Sequence, residues 1–188
     1  MSDSMITKKA IAFGLKELMK KKSFEKITIA DITEICGLNR QTFYYHFQDK
    51  FELVDWIYYN EAIALLTNDL TFETWGTRVQ QMLTVMKNEA YFYQNALKAS
   101  GQNGFEDYLF SVARELFCGI IDRIAPQGAL TEEERDFIAE FYSYGIVGII
   151  LSWARKGMKE TPEYITDQLK NLVYDTQKFA VIRYMQKS

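Results

Sequence analysis

Along all 188 residues, apolar side chains recur at three- and four-residue intervals, and almost no segment alternates with a period of two. That spacing lays one apolar stripe along a 3.6-residue helix and excludes half-buried strands, so the chain is expected to be all-α. Ile11, Leu15, Leu18 and Met19 make one stripe, Phe51, Val54, Tyr58 and Leu65 a second, and Trp75, Val79, Met82 and Met86 a third. Only two prolines and ten glycines interrupt the pattern, with no internal repeat and no Gly/Ser or charge-run linker. A hydrophobic content of 48% and a charged content of 25% are those of an ordinary globular chain long enough to bury a core.

The breaks between stripes divide the chain. The first helix ends near Lys20-Lys21-Lys22, where cations meet the negative end of the helix dipole. Phe24 and Ile27 lie in the connection. Thr28 is an N-cap with Asp31 in the capping-box position, and Ile29, Ile32 and Ile35 are expected to face inward. Gly37 suits a left-handed C-cap, Asn39 caps a short third helix to about Phe47, and Asp49 caps a fourth from Lys50. Helix, glycine turn and short helix in this order have helix-turn-helix spacing. Later breaks are expected at "SGQNG" (100–104) and "APQG" (125–128). Thr131 with Glu134, and Thr161 with Pro162, open two further helices. The expected organisation is a three-helix unit over residues 1–50 and a larger helical unit over residues 51–188.

Charge follows that division. Residues 1–50 hold nine Lys/Arg against six Asp/Glu, a balance of +3; residues 51–188 hold thirteen against nineteen, a balance of −6, which together give the net −3. A basic front on an acidic body suits a molecule that meets phosphate at one end. Cys36 and Cys118 lack metal or redox spacing and are expected to be free thiols in a reducing cytosol. There is no N-terminal apolar stretch, and "YGIVGIILSWA" is short for a bilayer and runs into Arg155-Lys156. A cytoplasmic location without membrane contact is expected. With His46 as the single histidine, no Glu-x-x-His and no glycine-rich phosphate loop, no catalytic, metal or cofactor site can be assembled.

The chemistry-bearing stretch is "LNRQTFYYHF" (38–47). As a helix it turns Leu38, Phe43 and Phe47 inward and leaves Asn39, Arg40, Gln41, Thr42, Tyr44, Tyr45 and His46 as its surface. Arg pairs with guanine and Asn or Gln with adenine in the major groove, and the first residues of a second helix are those that approach base edges. Tyr44, Tyr45 and His46 can donate to phosphates, and Lys50 with the amides at the start of the fourth helix could hold an anion. On residue types alone this reading and the plain one, helix caps followed by core aromatics, are evenly matched.

Phe24, Thr28-Ile29, Asp31-Ile32, Gly37, Thr42-Phe43-Tyr44-Tyr45-His46-Phe47 and Asp49-Lys50 stand at the spacing of the tetracycline-repressor (TetR) DNA-binding unit, which residues 6–54 resemble. The resemblance implies phosphate contacts for Thr28, Tyr44, His46 and Lys50, and base-facing places for Arg40, Gln41 and Thr42. Ala30 departs from the pattern, since several relatives carry a DNA-reaching arginine there; base reading is therefore expected to rest on the third helix.

Behind residue 50 the resemblance is looser. In "FYSYGIVGIILSWARKGMKETPEYI" (141–165), Gly145 and Gly148 share nearly one helical face, flanked by Ile149 and Trp153. Intrachain packing is one account; the resemblance implies instead the last two helices of a homodimer interface. The same stretch is similar to a subgroup that includes the activator of dihydroxyacetone kinase operons, in which a coactivator protein senses the effector. "EAYFYQNAL" with Trp75, Met82 and Met86 is read first as core and second as the lining of a small-molecule effector pocket. The expected function is a homodimeric transcriptional regulator on a double-stranded DNA operator, either an activator working through a coactivator or a small-molecule-responsive repressor. A helical interaction module without DNA is the rival; it leaves the Asn-Arg-Gln-Thr face unexplained.

Overall fold

Most helices of the first sixty residues begin at a side chain that accepts a backbone N–H, and the computed structural model closes these caps. It describes residues 3–67, 70–98, 104–125 and 128–185, and of residues 3, 177 and 179–185 the backbone alone. Helix α1 is Asp3–Met19, followed by a single 3-10 turn at Phe24–Lys26. Then come α2 (Ile29–Ile35), α3 (Arg40–His46) and α4 (Lys50–Tyr58). A π-helical turn, Tyr59–Ile63, carries α4 into α5 (Ala64–Thr67). The rest is α6 (Trp75–Asn88), α7 (Ala90–Ala96), α8 (Gly104–Ile124), α9 (Glu132–Arg155) and α10 (Pro162–Met185). No strand occurs among the described residues.

Thr28 and Asp31 form the reciprocal capping box, Asn39 accepts from Thr42 N, and Asp49 accepts from Phe51 N and Glu52 N. Thr131 and Glu134 form a second box, and Thr161 accepts from Tyr164 N at 3.2 Å. At the end of α2, Gly37 takes φ +65, so that its N–H reaches Glu34 O and Leu38 N–H reaches Thr33 O. These are the two bonds of a Schellman turn, which set the sharp crossing into α3. Gly14 serves packing instead. A Cβ there would run into Cys36 Sγ and stand 2.8 Å from Ile35 Cγ2, so its bare Cα lets α1 cross α2 closely.

One apolar cluster runs from Ile11 to Val173 and includes Leu15, Ile32, Phe43, Phe47, Val54, Tyr58, Met82, Met86 and Leu169. The three expected stripes face it, with Leu18 and Phe51 half-buried at its edges and Leu65 half-buried apart from it. Ile35 does not face inward: α2 ends there, and the side chain stays 46% exposed on the flank of α1. Ion pairs Asp122–Arg135 (two bonds, 2.6 and 2.7 Å) and Glu106–Arg155 (3.3 Å) lace the two ends of α8 to the opposite ends of α9, an antiparallel hairpin. Lys16, 7% exposed, ties α1 to Glu61 in the π-helical turn and to Glu89 at the α6–α7 junction. The break at 100–104 lies outside the described residues except for Gly104, which opens α8; of 125–128, Ala125 and Gly128 are described. Helix α9 as a whole is long and apolar enough to cross a membrane by length and composition, more than "YGIVGIILSWA" alone suggests, and 39% of its apolar window is buried within the chain.

Candidate nucleic-acid interface

Helix α3 has seven residues, too few to hold itself together by its own hydrogen bonds. Its rotation is fixed from the inside. Phe43 is fully buried and Phe47 2% exposed, their rings 5.9 Å apart, with Trp56 behind Phe47 and Lys8 Nζ 5.4 Å from the Phe47 ring centre. With that face anchored, Arg40, Gln41, Tyr44 and Tyr45 are exposed, Tyr45 to 82%. Thr42 and His46 are half-buried beside them, His46 lying edge-on to Tyr45 with ring centres 5.0 Å apart. The exposed set at the start of α3 can donate and accept along a groove edge.

Two expected members have local duties as well. Asn39 Oδ1 accepts both Thr42 N (2.8 Å) and Thr42 Oγ1 (3.0 Å), so only its NH2 group is left to meet a base. Exposed Thr28 exchanges bonds with Asp31, whose carboxyl is held down at about 2 by the Thr28 amide first and by Lys22 next.

Lys50 is placed differently from the expectation. Its ammonium donates to Phe24 O (2.9 Å), Ile27 O (2.9 Å) and Glu25 O (3.1 Å), and sits 4.6 Å from the centre of the Phe24 ring. Three acceptors match its three protons, which leaves no donor aimed at a phosphate. Partial burial also pulls its pKa down. The amides at the start of α4 are engaged too, because Asp49 Oδ1 already accepts from Phe51 N and Glu52 N. The anion site expected there is filled by the protein's own carboxylate.

In the body, Phe137, Phe141 and Tyr144 are 71, 66 and 62% exposed at spacings that put them on one face of α9, with Ile149, 40% exposed, at its edge. Gly145 and Gly148 lie on that face, and a Cβ on either would meet nothing within 4 Å. On α10, Tyr164, Leu172 and Tyr174 are also more than half exposed. Trp153 is not part of this surface. It is 3% exposed and its indole N–H donates to Glu160 O at 3.2 Å, so it packs inside the protomer and closes the turn after α9. The sequence signal for Phe137, Phe141 and Tyr144 was their i, i+4, i+7 spacing beside the glycines.

The aromatic and Met stretch is core: Met82, Met86, Phe92 and Tyr93 are fully buried. Between α6, α8 and α9 an apolar cavity of about 30 Å3, lined by Trp75, Val79, Leu109, Phe117 and Val147, is on the scale of a water or two. A more open groove of about 380 Å3 beside α8 is lined by Leu70, Phe72, Leu116, Ile120 and Arg123. Among the described residues no group of three or more His, Cys, Asp or Glu could hold a metal ion.

Two family models match the chain. Residues 14–57 match the one described as bacterial regulatory proteins, tetR family, and residues 73–175, more than half of the chain, match a transcriptional regulator C-terminal region of the same family. The HTH-type dhaKLM operon transcriptional activator DhaS of Lactococcus lactis subsp. lactis (strain IL1403) is 33% identical over 94 residues, and that alignment spans half of this chain and half the length of the relative. The solved structure of a dihydroxyacetone kinase operon activator DhaS superposes with TM-score 0.73 at 25% identity, covering 93% of this chain and 98% of that one. NalD, the secondary repressor of the MexAB-OprM multidrug efflux pump in Pseudomonas aeruginosa, shares the fold with TM-score 0.61 at 16% identity, over 93% and 97% of the two chains.

Proposed function

The chain belongs to the TetR family of bacterial transcriptional regulators, and from that premise we propose a cytoplasmic homodimer that reads a pseudo-palindromic DNA operator through α3 and activates a dihydroxyacetone kinase operon together with a coactivator protein. The observation that carries the DNA reading is the rotation of α3, with Phe43 and Phe47 inside and Arg40, Gln41, Tyr44 and Tyr45 outside. Thr28, Asn39, Thr42 and His46 border that surface, and the ammonium of Lys50 beside it bonds to three carbonyls of its own chain. A two-fold axis through the α9 face would set the two recognition helices about one helical turn, roughly 34 Å, apart. Gly145 and Gly148 would sit at the centre of that contact, with Ile149 at its edge. Partner binding to the body would change which helix separation is populated, and so the fraction that fits the operator.

Likeness to the dhaKLM activator supports the operon, and the small interior cavity supports sensing through another protein. The groove of about 380 Å3 supports a second reading, a small-molecule-responsive repressor, because it has the volume of a ligand site. Duplexes selected from a random pool by the wild-type protein test the DNA assignment: Arg40→Ala should cost about 1–3 kcal/mol on the selected site and relax one base position. Unchanged affinity and preference would refute it. Deleting the gene separates the two readings, since the target operon loses induction under the first and is expressed constantly under the second.

A further inference from the structure

The turns after α2 and α9 complete their own backbone; the turn after α1 takes bonds from two distant side chains. Helix α2 ends on Gly37 and α9 on Gly157, each with a Schellman pair of bonds. After α1 the sequence runs Lys20-Lys21-Lys22-Ser23-Phe24-Glu25-Lys26 with no glycine, so the carbonyls at its carboxyl end need donors from elsewhere. Two side chains bond to this connection, Asn95 from the body and Lys50 from the start of α4. Asn95 on α7 donates to Met19 O (3.3 Å) and Lys22 O (3.1 Å), and accepts Phe24 N–H at 2.9 Å. Lys50 at the start of α4 takes Phe24 O, Glu25 O and Ile27 O. Six backbone groups of one short connection are thus finished by two residues, 71 positions and about two dozen positions away in the chain.

We infer that Lys50 and Asn95 are positioning residues that clamp the α1–α2 connection to α4 and α7, and that this connection is where the body sets the placement of the DNA-reading helices. The inference rests on the DNA-binding reading above. Helix α7 packs against both α1 and α9. A shift imposed at the exposed α9 face reaches α7, and Asn95 passes it to the connection that leads into α2. Lys16, three residues before Met19 on α1, pairs with Glu89 at the head of the same α7, so α7 grips the three-helix unit at two points. In this arrangement Lys50 contributes to DNA affinity through geometry and not through its charge.

The test uses the full chain with Lys50→Met, which keeps the apolar stem, and Asn95→Asp, which keeps the acceptor for Phe24 N–H but removes the two donated bonds. Hydrogen exchange on the DNA-free protein reads the clamp directly: amides of residues 20–27 should exchange about tenfold faster in each variant, with α8 and α9 unchanged. On the duplex selected by the wild type, each variant should lose about tenfold in affinity, with the same slope of log K against log salt and the same affinity for a random-sequence duplex. A slope reduced by about 0.9 in Lys50→Met, with random duplex weakened equally, would make Lys50 a phosphate ligand and overturn the inference. Wild-type exchange and wild-type affinity in both variants would overturn it too. If Lys50→Met fails to fold, Asn95→Asp carries both readouts. If the wild type selects no sequence, the DNA reading fails, while the exchange measurement still decides the clamp.

Discussion

The helices at the two ends of this molecule use caps and packing in different proportion. In the amino-terminal unit α2 and α3 have seven residues each, and their ends are closed by Thr28, Asp31, Gly37, Asn39 and Asp49. In the body α8, α9 and α10 have 21, 24 and 24 residues and are held along their length by packing and by ion pairs such as Asp122–Arg135. The outward faces differ in the same sense. α3 shows an arginine, a glutamine and two tyrosines, whereas α9 shows Phe137, Phe141 and Tyr144 around two glycines. A short capped helix anchored by two phenylalanines can give its outer face to polar groups. A long helix with aromatics outward leaves an apolar face for another surface to cover.

Two phenylalanines put the comparison to its hardest test. Phe43→Ala, at a fully buried position, should destabilise the amino-terminal unit by about 3–5 kcal/mol in a denaturant melt. Phe141→Ala, at a position 66% exposed, should leave protomer stability within about 0.5 kcal/mol while lowering the dimer fraction in sedimentation. Equal losses of protomer stability would erase the distinction between the two faces.

Caps should matter in one unit and less in the other. Thr28→Ala removes one partner of the capping box and should cost about 1 kcal/mol, read as a lower melting temperature of the amino-terminal unit. Gly148→Ala should act in the opposite direction on the protomer. With nothing within 4 Å of the new Cβ, helix propensity alone should add up to about 1 kcal/mol. The same methyl should weaken self-association, because it holds the partner helix away. A variant that gains protomer stability and dimerises as well as the wild type would remove Gly148 from the interface.

The smallest expected effect is a pH dependence. The carboxyl of Asp31 titrates at about 2, below its ordinary value of 3.8, so its charged form is favoured by folding. Its contribution is complete above 3.8, shrinks as pH falls from there toward 2, and is absent below. The melting-temperature gap between wild type and Asp31→Asn should therefore be present at neutral pH and close in the same window. A gap that persists in strong acid would show that packing, not charge, is the source.

Local chemistry was legible in the chain from residue 28 to residue 51. Caps, the glycine turn and the Phe43/Phe47 pair act between neighbours three or four residues apart, so spacing alone reveals them. Leu38, Met82 and Met86 also went to the core side as their periodicity implied. Ile35 escaped, because α2 stops at that residue and the helical face has no continuation to cover it. Trp153 escaped for another reason: Glu160 O, seven residues on, turns its indole back into the protomer. Lys50 and Asn95 carry no local signal, since their partners lie 23 or more residues away.

The order of apolar stripes and caps by itself determined an all-helical chain, the helix-turn-helix and the outward residues of α3, because those features depend on periods and on bonds within one turn. Only the tertiary structure decided that Lys50 faces inward, that α7 finishes the end of α1, and that α9 keeps an aromatic face uncovered. Each of these depends on which distant groups the packed core brings within hydrogen-bond reach or leaves without cover, and sequence spacing does not encode that distance.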